Sequence, residues 1–286
     1  MDLVGDVGGT WSRFALVKDG ALSKASVKAL RNDDYATFDA ALAGYLVQSG
    51  APRVSRVVLA LAGPVTGRSV RMTNRDWVVD AGAIGDQVLL MNDVEALGRA
   101  IPALGANQIA AVYAGTPEGP GQALMIALGT GANISPVRVI DGKAVAFEAE
   151  FGHAALPKTV DDAITAWIGT KSVGFETAED LFSGPGLTRL SQILGVSDVL
   201  KDTEAAREFG ALFGILLREL AVTLLPRRGI YVAGSVGRAI FDGPAADGFT
   251  RTFGAAFVGA TGIGSVPVWS VRDDAAALWG CVAALE

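Results

Sequence analysis

The residues best suited to chemistry sit where short apolar runs of this chain end. The first run, Leu3-Val4-Gly5, leads into a carboxylate at Asp6, then the glycine turn Gly8-Gly9-Thr10, then a second apolar run over residues 14–17. Glycines at 8 and 9 let successive backbone N–H groups face one anion with no Cβ in the way. Asp6 beside that nest is the type of ligand that a nucleotide-bound Mg²⁺ requires. The hairpin therefore reads as a phosphate-handling turn, distinct from G-x-x-x-x-G-K-[ST], which the sequence lacks. A plain tight turn between two strands is the other reading.

Three further groups carry suitable side chains. Asn92-Asp93 closes an apolar run at 88–91, and ligands of open α/β sheets gather at the carboxyl ends of strands. An aspartate there can accept a substrate hydroxyl's proton as a phosphoryl group arrives; it can equally cap the helix that follows. Glu150-Phe151-Gly152-His153, with Glu179 beyond it, offers two carboxylates and the chain's single imidazole. Such donors and acceptors suit a polyol. A hydrogen-bonded, partly buried His153 is the plainer reading, and a Ser-His-Asp hydrolase would need a G-x-S-x-G elbow that is missing. Gly129-Thr130-Gly131 and Gly234-Ser235 form the last group. Each alone is loop geometry; with Asp6 and Gly8-Gly9 they supply separate places for phosphates and an adenosine.

Apolar runs alternating with helical spacing must hold these residues. Runs at 56–62, 88–91, 123–128 and 230–233 read as buried strands, with Gly63-Pro64-Val65-Thr66-Gly67 as the turn after the first. Helix-spaced apolar positions mark 35–47, with Asp33 or Asp34 as the cap. They also mark 94–100, up to Pro102, and 204–225, ended by Pro226. Gly129-Thr130-Gly131 echoes the first hairpin about half a chain later, which suggests one phosphate turn per half. The alternation predicts the α/β class.

Composition narrows the reading. With 286 residues, 50% of them hydrophobic, the chain has enough material for one large core or two smaller ones. A net charge of −6 and a pI near 4.9 argue against a nucleic-acid groove or an anionic membrane surface. Amide and helix-end pockets still accept anionic nucleotides. One cysteine, Cys281, permits neither an internal disulfide nor a multi-cysteine zinc site, and one histidine excludes a paired-histidine metal site. No basic-then-apolar leader opens the sequence, and the apolar run at 212–225 is broken by Arg218 and Glu219. A cytoplasmic protein is expected, with no nucleic-acid or membrane partner.

The order of these segments resembles the bacterial glucokinase family, within the hexokinase–actin-like ATPase superfamily. The resemblance begins at Asp6-Val7-Gly8-Gly9-Thr10 with Arg13 and continues through Ala62-Gly63-Pro64-Val65, Gly67, Thr73-Asn74 and Trp77. Asn92-Asp93 with Ala100-Ile101-Pro102, Gly129-Thr130-Gly131, and Glu150, Gly152 and His153 follow. Glu179 with Ser183-Gly184-Pro185-Gly186, then Gly234, complete it. The resemblance implies an α/β, two-lobed actin-like ATPase (ribonuclease H-like) fold with a cleft between a small and a large domain. The small α/β domain would span 1–103 plus 272–286 and the large α+β domain 104–271. It implies ATP-dependent phosphorylation of a hexose at its 6-hydroxyl, glucose foremost. Asp93 would be the general base, with Asn92, Glu150, His153 and Glu179 holding the other hydroxyls. Asp6 would act on Mg²⁺, directly or through water, while Gly8, Gly9, Thr10, Gly129, Thr130, Gly131 and Gly234 would serve ATP. The resemblance also implies a homodimer, and the lone cysteine points to the zinc-free branch.

The chain departs from the family pattern near these loops. Trp11 stands where a small or polar residue, often asparagine, is usual, and Ala132-Asn133 where an apolar residue and a glycine usually follow. Phe151 and Ser235 each replace a glycine, and Asp273-Asp274-Ala275-Ala276 lacks the usual Asn-Pro-Gly run. A non-catalytic sugar-sensing protein on the same fold, and a kinase for another hexose such as an amino sugar or mannose, therefore stay open.

Overall fold

In the computed structural model, Leu3, Val4 and Val7 point into the interior from β1 (Asp2–Val7), which turns back at once as β2 (Trp11–Lys18). The structure describes residues 1–73, 75–117, 119, 121–255 and 266–286; Asn74 of the Thr73-Asn74 motif lies outside them. The chain divides into two compact units. One is Met1–Leu104 with Val139–Glu148 and Asp274–Glu286; the other is Gly105–Arg138 with Ala149–Asp273. Residues 139–148 thus belong to the first unit, whereas the sequence reading kept them in the larger domain.

In the first unit, β3 (Ala21–Leu22), β4 (Lys28–Arg31), α1 (Phe38–Gln48) and β5 (Val57–Leu61) follow the hairpin. Then come the short strands β6 (Val65–Thr66), β7 (Ser69–Arg71) and β8 (Val78–Asp80), α2 (Ala81–Ile84), β9 (Val88–Asn92) and α3 (Asp93–Ala100). The main sheet runs β3-β2-β1-β5-β9, with β4 also on β2; β1, β5 and β9 are parallel. Helices cover both faces, which is why β5 is buried along its whole length and reads as an unbroken apolar run. Phe14, Phe38, Tyr45 and Trp77 fill one face; Val4, Ala60, Met91 and Ala96 meet Leu278 and Cys281 on the other.

Two local expectations are corrected. Helix α1 is capped by Thr37, whose Oγ1 accepts the Ala40 N–H at 3.2 Å, while Asp33 and Asp34 sit in a separate 3₁₀ turn. An extended Thr37 can reach an N–H three residues on; the aspartates lie too far upstream. Residues 65–66 are no simple turn but one strand of a small antiparallel sheet, β6-β7-β8, whose reversal falls at Gly67 with φ +61°.

The second unit opens with β10 (Ile109–Tyr113), β11 (Ala123–Leu128) and β12 (Ala132–Ile140). The chain then visits the first unit as β13 (Lys143–Ala146), packed on α3. It returns through α4 (Lys158–Ile168), α5 (Ala178–Phe182), α6 (Gly184–Leu194) and the long α7 (Thr203–Leu224). Asp202 caps α7 by accepting the Glu204 and Ala205 N–H groups, and Phe209 and Phe213 on this helix pack with Phe182 and Phe249 in the core. β14 (Ile230–Ala233), α8 (Ser235–Asp242), α9 (Ala245–Phe253) and β15 (Val268–Val271) follow, before α10 (Ala276–Ala283) ends in the first unit. The sheet order β12-β11-β14-β15 repeats β2-β1-β5-β9: a hairpin, then two parallel additions. The duplication expected from the two glycine turns is present in the topology.

Candidate active site

Register fixes where the candidate residues of the first unit lie. Val7 pairs with Leu61 and Leu61 with Asn92, so Gly8, Ala62 and Asp93 leave the sheet along one edge. In the turn, the Gly8 N–H donates to the Trp11 carbonyl at 2.9 Å. Gly8 and Gly9 both lie outside the left-handed region, and a Cβ on Gly8 would approach only the Trp11 carbonyl, at 3.5 Å. The reason for glycine at 8 is therefore a bare backbone surface rather than a special φ. Thr10 is exposed at the tip, and the carbonyls of Gly8 and Gly9 accept hydrogen bonds from the buried Asn32.

Asn92, expected on the sugar, is the N-cap of α3: its Oδ1 accepts the Val94 N–H at 2.9 Å. Asp93 is the first helical residue rather than the cap, half-buried, with its own Oδ1 also 2.9 Å from that N–H. Asp6 faces Arg13 across the hairpin at 3.7 Å. Burial raises the Asp6 carboxyl to a pKa of about 6, Arg13 opposing and the charge of Asp274 adding to the rise. Beneath it, the Cys281 thiol donates to the Gly5 carbonyl and is pushed far above its ordinary range by burial and then by Asp6.

In the second unit, the Gly129 N–H donates to the Gly131 carbonyl and the Gly184 N–H to the Gly129 carbonyl, each at 2.8 Å. A Cβ on Gly129 would meet nothing within 4 Å, and Thr130 beside it is exposed. Glu179, in the first turn of α5, accepts the Ala132 N–H on Oε2 at 3.0 Å; a Cβ on Gly131 would stand 2.6 Å from that oxygen. Asn133 binds the opposite flank. Its Nδ2 donates to the Ala149 carbonyl at 2.6 Å and lies 3.5 Å from Glu150 Oε2, while its Oδ1 accepts from Phe151 N–H at 3.0 Å. Gly152 has no room for a Cβ against the Ala132 carbonyl. The turn at 129–131, Glu150 and Glu179 are thus brought together. His153 ends the same 3₁₀ turn as Phe151, and it is exposed rather than partly buried.

Gly234, at φ +93° and pressed on the Leu128 carbonyl, leads from β14 into α8. Beside it is a cavity of about 470 Å³ walled by Thr188 and Gln192 of α6, Asp198, and Ser235, Val236 and Ala239 of α8.

Among the described residues no group of three or more His, Cys, Asp or Glu could by itself hold a metal. A nucleotide's Mg²⁺ needs only one or two carboxylates, with phosphates and water completing its shell. Asp6 fits that demand, because its desolvated charge is crowded by Asp274 and a cation would relieve both. Also among the described residues, no helix is long and apolar enough to cross a membrane.

Sequence reasoning missed Asn32 and treated Asn133 only as a departure. Their partners lie far along the chain, 24 positions from Asn32 to Gly8 and 18 from Asn133 to Phe151. For Asn133 the signal was an amide side chain beside a glycine turn; Asn32 had no such neighbour in sequence.

The Glucokinase family profile matches residues 3–208 and 198–286. Glucokinase of Ralstonia nicotianae is 30% identical over 330 aligned positions, covering 99% of this chain and 94% of that one. A crystal structure of glucokinase from an Antarctic psychrotroph matches with a TM-score of 0.75 at 23% identity, over 99% of this chain and 98% of that chain. Glucokinase from Balamuthia mandrillaris, solved in complex with glucose, matches with a TM-score of 0.74 at 16% identity, over 98% and 92%. These two likenesses establish the actin-like ATPase fold. With nearly the whole sequence matched, the chain belongs to the glucokinase family, and so to the sugar-kinase phosphotransferases.

Proposed function

We propose that this chain transfers the terminal phosphoryl group of ATP to the 6-hydroxyl of glucose, releasing glucose 6-phosphate and ADP. Family membership supports the reaction. The observation that carries its assignment to residues is the register in which Val7, Leu61 and Asn92 lie side by side. It sends an anion-type turn and the Asp93 carboxylate off one edge of one sheet. Phosphoryl transfer asks little covalent chemistry of a protein; it asks for alignment, charge stabilisation and one proton acceptor.

In this reading Asp93 accepts the proton of the 6-hydroxyl, and the Gly8-Gly9-Thr10 backbone faces phosphate. Glu150, His153 and Glu179 hold the remaining hydroxyls, with Glu179 set by the Ala132 N–H. Asn92 contributes an amide hydrogen to the sugar, since its oxygen is engaged by α3 and its Nδ2 makes one long bond, 3.5 Å, to the Gly63 carbonyl. Gly129 leaves clearance for phosphate, Thr130 offers a hydroxyl to it, and Gly131 admits Glu179. The cavity beside Gly234 takes the adenosine, its size being within the usual range for such ligands. Mg²⁺ held by Asp6, directly or through water, would neutralise phosphate charge. The same reading has the chain in the cytoplasm as a homodimer, supplying hexose 6-phosphate to glycolysis.

A coupled assay over a hexose panel with ATP and Mg²⁺ tests it. Glucose should be the preferred acceptor, and Asp93→Asn should lose turnover while calorimetry still detects glucose binding. Parental turnover by Asp93→Asn would remove the base; glucose binding with no ATP consumption by the parent would leave a sensor.

A further inference from the structure

We infer that Asn32 is a positioning residue that aims the Gly9 and Thr10 amides at the nucleotide's phosphates. The inference rests on the reading of the first hairpin as a phosphate seat. Asn32 has no solvent exposure, yet it belongs to a short 3₁₀ turn rather than to the hairpin it serves. Its Nδ2 donates to the Gly8 carbonyl at 2.8 Å and the Gly9 carbonyl at 3.2 Å, and its backbone N–H donates to the Thr10 carbonyl at 2.9 Å. The Arg75 guanidinium adds a second donor to the Gly9 carbonyl at 3.2 Å. The Ser12 hydroxyl, also buried, donates to Asn32 Oδ1 at 2.7 Å and so fixes which way the amide faces.

Three successive carbonyls of the turn are thereby drawn to one side. A trans peptide is planar, with its C=O and the following N–H pointing in opposite directions. Drawing the Gly8 and Gly9 carbonyls toward Asn32 therefore turns the Gly9 and Thr10 N–H groups the other way. Without the Asn32 amide the Gly8–Gly9 peptide is freer to rotate, because glycine restricts its backbone least, and of the two bonds to the Gly9 carbonyl only that from Arg75 remains. Asn32 thus removes before binding a disorder that the ligand would otherwise have to remove. Its own polar atoms are matched on both sides, as a buried amide requires.

Asn32→Asp tests this with almost no change of shape. The variant keeps an oxygen for Ser12 but faces the Gly8 and Gly9 carbonyls with a second acceptor in place of a donor. The expected result is a rise of about tenfold or more in KM for ATP with KM for glucose near the parental value. ADP affinity measured by calorimetry should weaken in parallel. Lowering the pH should restore ATP affinity in Asn32→Asp more than in the parent, because a protonated carboxyl can donate to a carbonyl. Ser12→Ala, which leaves the Asn32 donor in place, should give a smaller effect of the same kind. Equal changes in both KM values, or a fall in kcat alone with no pH-dependent recovery, would overturn the positioning role. A parent that binds ADP but phosphorylates no sugar would sink the kinase reading alone; the loss of ADP affinity in Asn32→Asp would still support the brace.

Discussion

Replacing Asp6 by asparagine should make the folded chain more stable, and increasingly so as the pH rises. The Asp6 carboxyl is raised from 3.8 to about 6, chiefly by burial, with Asp274 adding and Arg13 subtracting. The folded chain thus holds this proton more tightly than the unfolded chain does. The group's contribution to folding is fully present below 3.8 and is lost as the pH climbs through about 6. At ~1.4 kcal/mol for each tenfold change in proton affinity, the loss amounts to about 3 kcal/mol. Water and side-chain relaxation around a carboxyl 16% exposed reduce the expected gain to ~2 kcal/mol. In a protein of this size that is a rise of ~4 °C or more in the unfolding midpoint. Thermal unfolding of parent and Asp6→Asn in EDTA, from about pH 4.5 to about pH 7.5, measures it. The advantage should widen over that interval and level off above it. A variant no more stable than the parent at the upper end, or one whose advantage shrinks as pH rises, would mean that burial does not raise the Asp6 carboxyl.

Gly129→Ala and Gly234→Ala should separate clearance from conformation. The first places a methyl in open space, so its unfolding midpoint should stay parental while KM for ATP rises about tenfold. The second meets φ +93° and the Leu128 carbonyl, so it should lose ~3 kcal/mol or more in denaturant unfolding. Asn133→Ala removes the acceptor of the Phe151 N–H and the donor to the Ala149 carbonyl. Steady-state kinetics should show KM for glucose raised about tenfold with KM for ATP little changed.

Strands buried on both faces were legible because they appear as unbroken apolar runs; those at 123–128 and 230–233 match β11 and β14 to the residue. The short strands β6, β7 and β8 were not, since a run of two or three residues carries no period. The start of α1 was misread because an aspartate upstream looks like a cap whether or not its oxygen reaches an amide; only the extended backbone of Thr37 decides that. Nothing local marks 139–148 as part of the first unit, since that assignment depends on β13 packing on α3. In the site, Asp93 and the glycine turns were legible as residues that end strands. Asn32 and Asn133 were not, because their effect lies in hydrogen bonds to distant backbone, and spacing encodes no such bond.

The two glycine turns occupy equivalent places in repeated topologies, yet they are braced by opposite chemistry. Donors surround the first: Asn32 and Arg75 take up carbonyls. At the second turn the side-chain oxygens accept: Glu179 and Asn133 take up the N–H groups of Ala132, Ile134 and Phe151, while the Gly129 carbonyl is held by a backbone donor, the Gly184 N–H. A brace of donors turns amides outward and gives the turn a positive face suited to an anion. A brace of acceptors engages the amides around the turn, leaving bare glycine surface at Gly129 and a hydroxyl at Thr130. The first turn should therefore dominate phosphate affinity, and the second should act mainly by giving the phosphate chain room. Glycine spacing made the duplication visible in sequence; the division of labour follows from which side chains, donors or acceptors, reach each backbone.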